Sequence, residues 1–250
     1  MIRKALVVGG ANGIGLSIAT EIARREECEK VYIVDKANVE DEFDHPKFDK
    51  IQFDLTNKDY SIFNDLQDID TLMITAGFGR LSLFKDITEP HIIDSFNVNA
   101  IAPIRIIHHY IEKLQKEEDF RCGIMVSIAG FMTSPFYAVY GATKAALKVL
   151  IESVNVELEK NGSSNRILNV SPGHIKGTSF DHGKTDLIQT KSLATEIINN
   201  LVAKQDLLIP QYDEIFKEVL ARYQADFRKE GIRSYEYKLK SGRAIESDKN

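Results

Sequence analysis

Tyr140 and Lys144 stand four residues apart in the stretch YGATK. On a helix, side chains at this spacing lie on one face and can approach each other. A free phenol has a pKa of about 10, which is poorly matched to proton transfer at neutral pH. A nearby ammonium favours the phenolate, because the opposite charge stabilises it. The spacing therefore makes Tyr140 a candidate general acid or base that Lys144 tunes.

A glycine-rich turn near the N-terminus is the second candidate site. Gly9, Gly13 and Gly15 lie at the end of the apolar run ALVVG and at the start of a helical pattern. Glycines permit a tight turn and let the backbone approach a pyrophosphate. The N-terminus of the helix adds free N–H groups and a partial positive charge. The pattern predicts a dinucleotide-binding turn, with a purely structural turn as the alternative.

An acidic residue follows at the distance that such a turn requires. Asp35 ends the apolar run VYIVD, twenty residues after Gly15. A carboxylate there can accept hydrogen bonds from the adenine ribose and would repel a 2′-phosphate, which favours NAD over NADP. The neighbouring cation Lys36 keeps NADP as the less favoured alternative, because it could bind that phosphate.

The elements that position these residues alternate along the chain. Short apolar runs without clean alternation predict strands that are buried on both faces, and helical patterns lie between them. The predicted strands are 5–9, 31–35, 50–54, 70–77, 123–130, 166–173 and 206–210; the predicted helices are 13–26, 56–67, 89–117, 139–160, 191–204 and 211–230. This order predicts one α/β domain over 1–250, a Rossmann-like doubly wound parallel sheet of about seven strands.

Several motifs in a fixed order resemble the short-chain dehydrogenase/reductase family of the compact, single-domain type. The likeness runs from about residue 4 to 178. The motifs are GGANGIG, FDL with Asp54, TAGFG (75–79), FNVNA with Asn99, VSIAG with Ser127, YGATK, and SPGHI with Pro172 and Gly173.

The resemblance implies a role for each matching residue. Ser127 would hydrogen-bond the substrate oxygen, and Asn99, with Asn97 as its alternative, would hold a water behind Lys144. Lys144 would also bind the nicotinamide ribose, and the positive charge of the oxidised nicotinamide would add to that of Lys144 in favouring the Tyr140 phenolate. The implied catalytic set is Asn99, Ser127, Tyr140 and Lys144, and no metal is needed. The implied coenzyme contacts are Gly9, Asn12, Gly13, Ile14, Gly15, Asp35, Asp54, Leu55, Ala76, Gly77, Tyr140, Lys144, Pro172, Gly173 and Ile175.

The chain departs from the family pattern at three positions. Thr75 stands where the family usually has asparagine, and Val8 replaces the common threonine before the first glycine. Thr178 lies one residue later than the motif places it, which makes its contact and that of Ile175 with the carboxamide less certain.

The composition argues against some classes of binding partner. The net charge is −5, and no basic run is interleaved with aromatic residues, which argues against nucleic acid. The sequence contains no apolar stretch of about 18 residues, so no membrane-spanning helix is expected. Cys28 and Cys122 lie outside any CxxC motif, which favours a reducing cytoplasm.

By resemblance, the helices over 89–117 and 139–160 would join subunits into a homodimer or homotetramer.

Two functions fit the sequence. The first is an NAD(P)-dependent oxidoreductase that moves hydride between nicotinamide and the CH–OH or carbonyl carbon of a small alcohol or ketone. The second is a non-catalytic, NAD(H)-binding redox sensor on the same fold. A substrate loop over 178–190 and the C-terminal helix are expected to shape the pocket, and 240–250 is expected to be a flexible tail.

Overall fold

Seven parallel strands form one sheet in this computed structural model, which describes residues 1–116, 119–178 and 184–244. Their order across the sheet is β3-β2-β1-β4-β5-β6-β7. The strands are β1 (Lys4–Val8), β2 (Lys30–Asp35), β3 (Phe48–Gln52), β4 (Thr71–Ile74), β5 (Arg121–Met125), β6 (Ile167–Val170) and β7 (Leu207–Leu208). The predicted α/β, Rossmann-like doubly wound sheet is therefore confirmed.

Helices cover both faces of the sheet. Those of the described ranges are α1 (Gly13–Ala23), α2 (Glu89–Phe96), α3 (Ala102–His109), α4 (Ile111–Gln115), α5 (Ala138–Lys160), α6 (Leu187–Val202), α7 (Lys217–Ala225) and α8 (Phe227–Lys240). Helices α1 and α6 pack together, and α3 packs against α5. No helix in these ranges is both long and apolar enough to cross a membrane.

The sequence of the central strand, β1, lacks polar alternation because both of its faces are buried. In β1, Ala5 and Val7 belong to the core on the α1 and α6 side, whereas Leu6 and Val8 belong to the opposite core. All four side chains are fully buried. Because both faces of the strand meet apolar side chains, every position must be apolar.

The direction in which the chain adds strands reverses between β1 and β4. Such a switch point leaves a crevice at the carboxyl ends of the two strands. Thr75, directly after β4, braces this crevice: its hydroxyl donates to the carbonyl of Gly9 at 2.8 Å and to that of Val8 at 3.1 Å. The threonine therefore holds the ends of β1 and β4 together where the family usually has asparagine.

The α-helix predicted over 56–67 is wrong. This segment contains only a short 3₁₀ helix, Ser61–Leu66. Before it, the carboxylate of Asp54 accepts from the amide and hydroxyl of Thr56, and that of Asp59 accepts from the amide of Ser61. Aspartates that bond the backbone two residues ahead stabilise turns at the expense of helix.

The C-terminal pattern forms two α-helices rather than the single one predicted over 211–230. A π-helical turn, Tyr212–Phe216, leads into α7. At Asp226 the backbone becomes extended, and the Asp226 carboxylate accepts from the amides of Arg228 and Lys229. This N-cap ends α7 and begins α8, because Asp satisfies amides that a continuous helix would bond internally.

The remaining boundaries also differ. The predicted helix 89–117 is divided into α2, a π-helical segment (Asn97–Ile101), α3 and α4. The predicted loop 178–190 ends early, because Asp186 caps the start of α6 by accepting from the amides of Ile188 and Gln189. Residues 179–183 of that loop and 245–250 of the predicted tail lie outside the described residues.

Candidate active site

A cavity of about 850 Å³ opens at the carboxyl ends of the central strands and extends beneath α7 and α8. Its lining joins the glycine turn after β1 to the segments that follow β4, β5 and β6. Ten of the fifteen predicted coenzyme contacts line the cavity, and so does Ser127. The lining contains Gly9, Asn12, Gly13, Ile14, Gly15, Gly77, Ser127, Tyr140, Pro172, Gly173 and Ile175. Asp35, Asp54, Leu55, Ala76, Asn99 and Lys144 lie outside it.

The turn after β1 depends on glycine at its first position. Gly9 has a φ of +84°, in the left-handed region. A Cβ on Gly9 would lie 2.3 Å from the amide nitrogen of Ala76. The turn therefore packs directly on the backbone after β4, and α1 begins beside the cavity with no acidic side chain in its first turn. A helix end of this kind favours an anion.

The first amide of α1 already has a polar partner. The amide of Gly13 donates to the hydroxyl of Thr185 at 3.0 Å, and a Cβ on Gly13 would meet Thr178 at 3.7 Å. The hydroxyl of Thr178 in turn donates to the carbonyl of Ile175 at 2.9 Å. Thr178, despite its shifted position in the motif, thus lies beside the glycine turn.

Asp35 is fixed at the end of β2 by backbone amides. One carboxylate oxygen accepts from the amide of Ala11 and the other from the amide of Ala37, each at 3.0 Å. These bonds hold the carboxylate against the glycine turn. Lys36 is exposed, and its carbonyl accepts from the side chain of Gln52.

Asp54 and Leu55 lie further along the same edge of the sheet. The Asp54 carboxylate is exposed, and its bonds to Thr56 hold its pKa below the usual range. Leu55 packs against the core on the α5 side. Ala76 does the same, and its backbone supports Gly9.

Ser127 and Tyr140 meet at the cavity wall. Ser127 lies two residues after β5, where its oxygen accepts from the amide of Ala129 at 3.1 Å. The Ser127 hydroxyl also hydrogen-bonds the phenol of Tyr140. Tyr140 lies in the first turn of α5, and its ring centroid is 5.4 Å from that of Tyr137. The predicted pair of hydroxyls is thus brought together in one place.

Helix α5 approaches this strand end closely because residue 130 is glycine. A Cβ on Gly130 would lie 2.8 Å from the carbonyl carbon of Lys144 and 2.9 Å from its oxygen. Any larger residue would push α5 away from the turn that carries Ser127. The packing of helix on turn therefore sets the distance between Ser127 and Tyr140.

Lys144 lies behind the phenol rather than at the cavity surface. Its ammonium donates to the carbonyl of Met125 at 2.8 Å and stands 5.7 Å from the centroid of the Tyr140 ring. It is also 3.3 Å from the place where a Cβ on Gly77 would sit. The helical spacing thus places both side chains on one face, as the sequence predicted.

The electrostatic expectation for Tyr140 is wrong for this structure. Burial raises the pKa of Tyr140 to about 12, which exceeds the opposing effect of the Ser127 hydrogen bond. Burial also lowers the pKa of Lys144 to about 7, so this group is only partly charged at neutral pH. Desolvation is the largest cause of both pKa shifts. The effect of a nicotinamide charge stays a prediction.

Asn99 lies in the π-helical segment between α2 and α3. Its side-chain oxygen accepts from the amide of Phe78 at 2.9 Å, and its nitrogen donates to the carbonyl of Phe78 at 2.7 Å. The nitrogen also contacts the Thr143 hydroxyl at 3.4 Å. Asn99 is fully buried and connects the segment after β4 to α5. Asn97 is partly exposed, which favours Asn99 over that alternative.

The sequence predicted that the C-terminal helix shapes the pocket, and α7 and α8 do line this side of the cavity. It did not identify which of their side chains face the cavity. Phe216 lies over Gly173, where a Cβ would meet its ring at 2.6 Å. Lys238 and Arg243 line the same side. The only sequence signal was a helical pattern of apolar residues, which carries no information about what it covers.

A parallel sheet of this order, with a glycine turn and a Ser–Tyr–Lys group at its switch point, defines a Rossmann-like oxidoreductase. The short chain dehydrogenase family matches residues 3–187. The chain belongs to that family.

Relatives and solved structures agree with this assignment. The chain is 27% identical over 223 residues to an uncharacterized oxidoreductase of Saccharomyces cerevisiae, covering 80% of this chain and 67% of the relative. It is 27% identical over 193 residues to 3-oxoacyl-acyl-carrier-protein reductase MabA of Mycobacterium avium, covering 76% and 74%. The structure of ElxO with NADP bound shares the fold at a TM-score of 0.70 and 20% identity, over 84% of this chain and 97% of that one.

We expect the buried Lys144 to make stability depend on pH. Its pKa is about 7 when folded and about 10.4 when unfolded, so the unfolded chain binds more protons between these values. The free energy of unfolding contributed by Lys144 therefore rises with pH across this window, by at most about 1.4 kcal/mol per pH unit. Urea unfolding at pH 7 and pH 9 should show a smaller rise for Lys144→Met than for the unsubstituted protein.

Lys160→Met is the matched control, because Lys160 is exposed at the end of the same helix. It should retain the unsubstituted pH dependence. Parallel curves for Lys144→Met and the unsubstituted protein would contradict a desolvated ammonium at this site.

Proposed function

We propose that this protein is an NAD-dependent oxidoreductase that interconverts a small alcohol and its ketone, with Tyr140 as the general acid or base. The observation that carries the proposal is the hydrogen bond between the Ser127 and Tyr140 hydroxyls at the cavity wall. Two hydroxyls in this position can both contact one substrate oxygen. A pure coenzyme sensor has no need of such a pair.

The residues around the glycine turn fit a dinucleotide. The amide of Gly13 and the acid-free first turn of α1 suit a pyrophosphate, and Asp35 is held where ribose hydroxyls would lie. Because Gly13 donates to Thr185 in this structure, a phosphate oxygen would compete with that hydroxyl for the same amide. The bound nicotinamide would supply the hydride acceptor or donor.

The chain's own residues handle the oxygen and its proton. Ser127 donates a hydrogen bond to the substrate oxygen as negative charge develops on it. Tyr140 gives its proton to that oxygen in reduction or removes it in oxidation. Its raised pKa keeps the phenol protonated in this structure, so the proton that the acid role requires is present. Use as a base requires added positive charge beside the ring.

Tyr140→Phe tests the catalytic assignment. The variant keeps the ring but lacks the proton that must move, so turnover of a ketone with NADH should fall by about 10²- to 10⁴-fold. Coenzyme binding, followed by NADH fluorescence, should change little. Tyr137→Phe is the matched control, because this ring borders the same cavity 5.4 Å away; it should retain readily measurable turnover of a neutral ketone.

Near-normal turnover in Tyr140→Phe would refute the assignment. Tight NADH binding by the unsubstituted protein, with no turnover on a broad panel of carbonyls and alcohols, would instead favour the redox-sensing regulator.

The preference for NAD rests on the fixed position of Asp35. Both carboxylate oxygens face backbone amides, which holds the negative charge beside the expected adenine ribose. Such a charge repels a 2′-phosphate. The structure of ElxO contains NADP, but ElxO is only 20% identical to this chain. Its similarity therefore supports the fold and not the choice of coenzyme.

Asp35→Asn should narrow the preference for NADH over NADPH. The asparagine has nearly the same shape, but it lacks the charge and can accept from only one of the two backbone amides. The ratio of kcat/KM for the two coenzymes should fall by about tenfold. Asp41→Asn is the matched control, since Asp41 is exposed in the loop after β2 and should leave the ratio unchanged. An unsubstituted enzyme that favours NADPH would overturn the choice of NAD.

We also propose that α2 and α5 join two copies of the chain. These helices pack against each other, and α5 presents an exposed stripe at helical spacing. The stripe consists of Ala142, Ala146, Val149, Ser153 and Val156. The fractional exposures of Val149 and Val156 are 59% and 61%, with Ile93 and Ile101 exposed nearby. Contiguous apolar surface of this kind marks an interface.

Replacing both Val149 and Val156 with glutamate should dissociate the assembly, because two buried charges would face each other across the interface. Sedimentation at micromolar concentration should show an oligomer for the unsubstituted protein and a monomer for the double variant. Val202→Glu, on α6, is the control and should remain oligomeric. A monomeric unsubstituted protein would contradict this proposal.

A further inference from the structure

The cavity lining is cationic although the chain is acidic. The chain carries a net charge of −5. Yet the charged side chains of the described lining are five cations and a single carboxylate. They are Lys176, Arg222, Arg233, Lys238 and Arg243 against Glu230. A concentration of one sign of charge in a cleft raises the local concentration of ligands with the opposite sign.

Within the described part of the chain, two of the five cations have a carboxylate partner. Arg222 donates to Glu230 through two nitrogens at 2.8 and 3.1 Å, and Arg233 contacts the same carboxylate at 3.3 Å. Glu230 is buried with only 8% exposure, so these three residues form a self-contained group on α7 and α8. Of the other three cations, Lys176 follows β6, Lys238 lies near the end of α8 and Arg243 lies just after it.

Among the residues that the structure describes, the buried Lys238 ammonium donates only to uncharged oxygens. It is 6% exposed and donates to the Ser134 hydroxyl at 3.0 Å, the Pro135 carbonyl at 2.8 Å and the Ser234 hydroxyl at 3.2 Å. Burial and the nearby Arg243 charge lower its pKa to about 8. A buried charge without a counter-charge is costly, and an anion bound there would relieve that cost.

Two serine hydroxyls lie between this ammonium and the cavity. Because each hydroxyl oxygen accepts a bond from Lys238, its own proton points to another acceptor. Ser134 and Ser234 both line the cavity, so two polarised O–H donors border the space in front of the ammonium.

Arg243 connects this group to the catalytic wall. Its guanidinium hydrogen-bonds the Tyr137 hydroxyl and lowers the pKa of that phenol against the larger opposing effect of burial. The Lys238 ammonium lies 5.6 Å from the Tyr137 ring centroid, and that ring lies 5.4 Å from the Tyr140 ring. An anion held by Lys238 and Arg243 would therefore sit one aromatic ring away from the reacting oxygen.

We propose that the substrate is a small keto acid or hydroxy acid whose carboxylate accepts hydrogen bonds from Arg243, Ser134 and Ser234, next to the Lys238 charge. This inference rests on the proposed oxidoreductase function. The guanidinium and the two hydroxyls offer several donors to the two oxygens of one carboxylate. The spacing of the rings limits the separation between the carboxylate and the reacting carbon to a short chain.

Matched pairs of substrates test the proposal. Straight-chain keto acids of graded length are each compared with the primary amide of the same acid, which has nearly the same shape and no charge. The unsubstituted enzyme should favour the best acid over its amide by about tenfold or more in kcat/KM, because a hydrogen-bonded charge is lost in the amide. Lys238→Met and Arg243→Gln should each reduce that ratio by about tenfold.

The ratio of kcat/KM for acid and amide separates an effect on carboxylate recognition from an effect on folding. Lys238 also attaches α8 to the segment 134–135, so its loss can reduce the amount of folded enzyme, but both substrates are measured on one preparation. Arg243→Gln leaves the bonds of Lys238 in place. Lys240→Met is the matched control, because Lys240 is exposed two residues further along α8 and should leave the ratio unchanged.

Binding without turnover distinguishes this proposal from the function on which it rests. In the Tyr140→Phe background, calorimetric titration with the best keto acid should show binding that Arg243→Gln weakens by about tenfold. Arg243-dependent binding without turnover by the unsubstituted enzyme would support the anion site and refute the proposed function. Equal turnover of acid and amide, or a ratio that both variants leave unchanged, would overturn the anion site and leave the function standing.

Discussion

The close packing of α5 on the turn after β5 is the constraint on which the site depends. Gly130 permits this approach, because a Cβ would lie 2.8 Å from the backbone of Lys144. The contact brings the Tyr140 phenol to Ser127 and sends the Lys144 side chain to the Met125 carbonyl. Asn99 ties the other side of α5 to the segment after β4. The Ser–Tyr–Lys group therefore depends on how one helix packs on the ends of two strands, β4 and β5.

Burial in this packing reverses the simplest electrostatic expectation. An ammonium near a phenol should favour the phenolate, yet the pKa of Tyr140 rises to about 12 and that of Lys144 falls to about 7. Both shifts have desolvation as their largest cause, since each group is taken from water before any charged ligand is present. The phenol is thus protonated at neutral pH. Its use as a base depends on charge that the coenzyme brings.

The sequence predicted the parts of this arrangement that depend on local pattern. Apolar runs predicted strands β1 and β2, and the glycine spacing predicted the turn. The four-residue spacing predicted that Tyr140 and Lys144 share one face of a helix. Side-chain bonds to the backbone decided the elements that were misjudged: Asp54 and Asp59 favour turns over a helix, and Asp226 divides the C-terminal helix in two. The cationic wall on α8 was not predictable, because Lys238 meets Ser134 only through long-range packing.

The central claim is that a bound nicotinamide, together with Lys144, brings the titration of Tyr140 towards neutral pH. Ultraviolet difference titration of the unsubstituted protein against Tyr140→Phe isolates this phenol among the 9 tyrosines. With saturating NAD⁺, the account predicts that the Tyr140 tyrosinate signal appears at lower pH than in the free protein. A signal that stays at its high pH with NAD⁺ bound would contradict it.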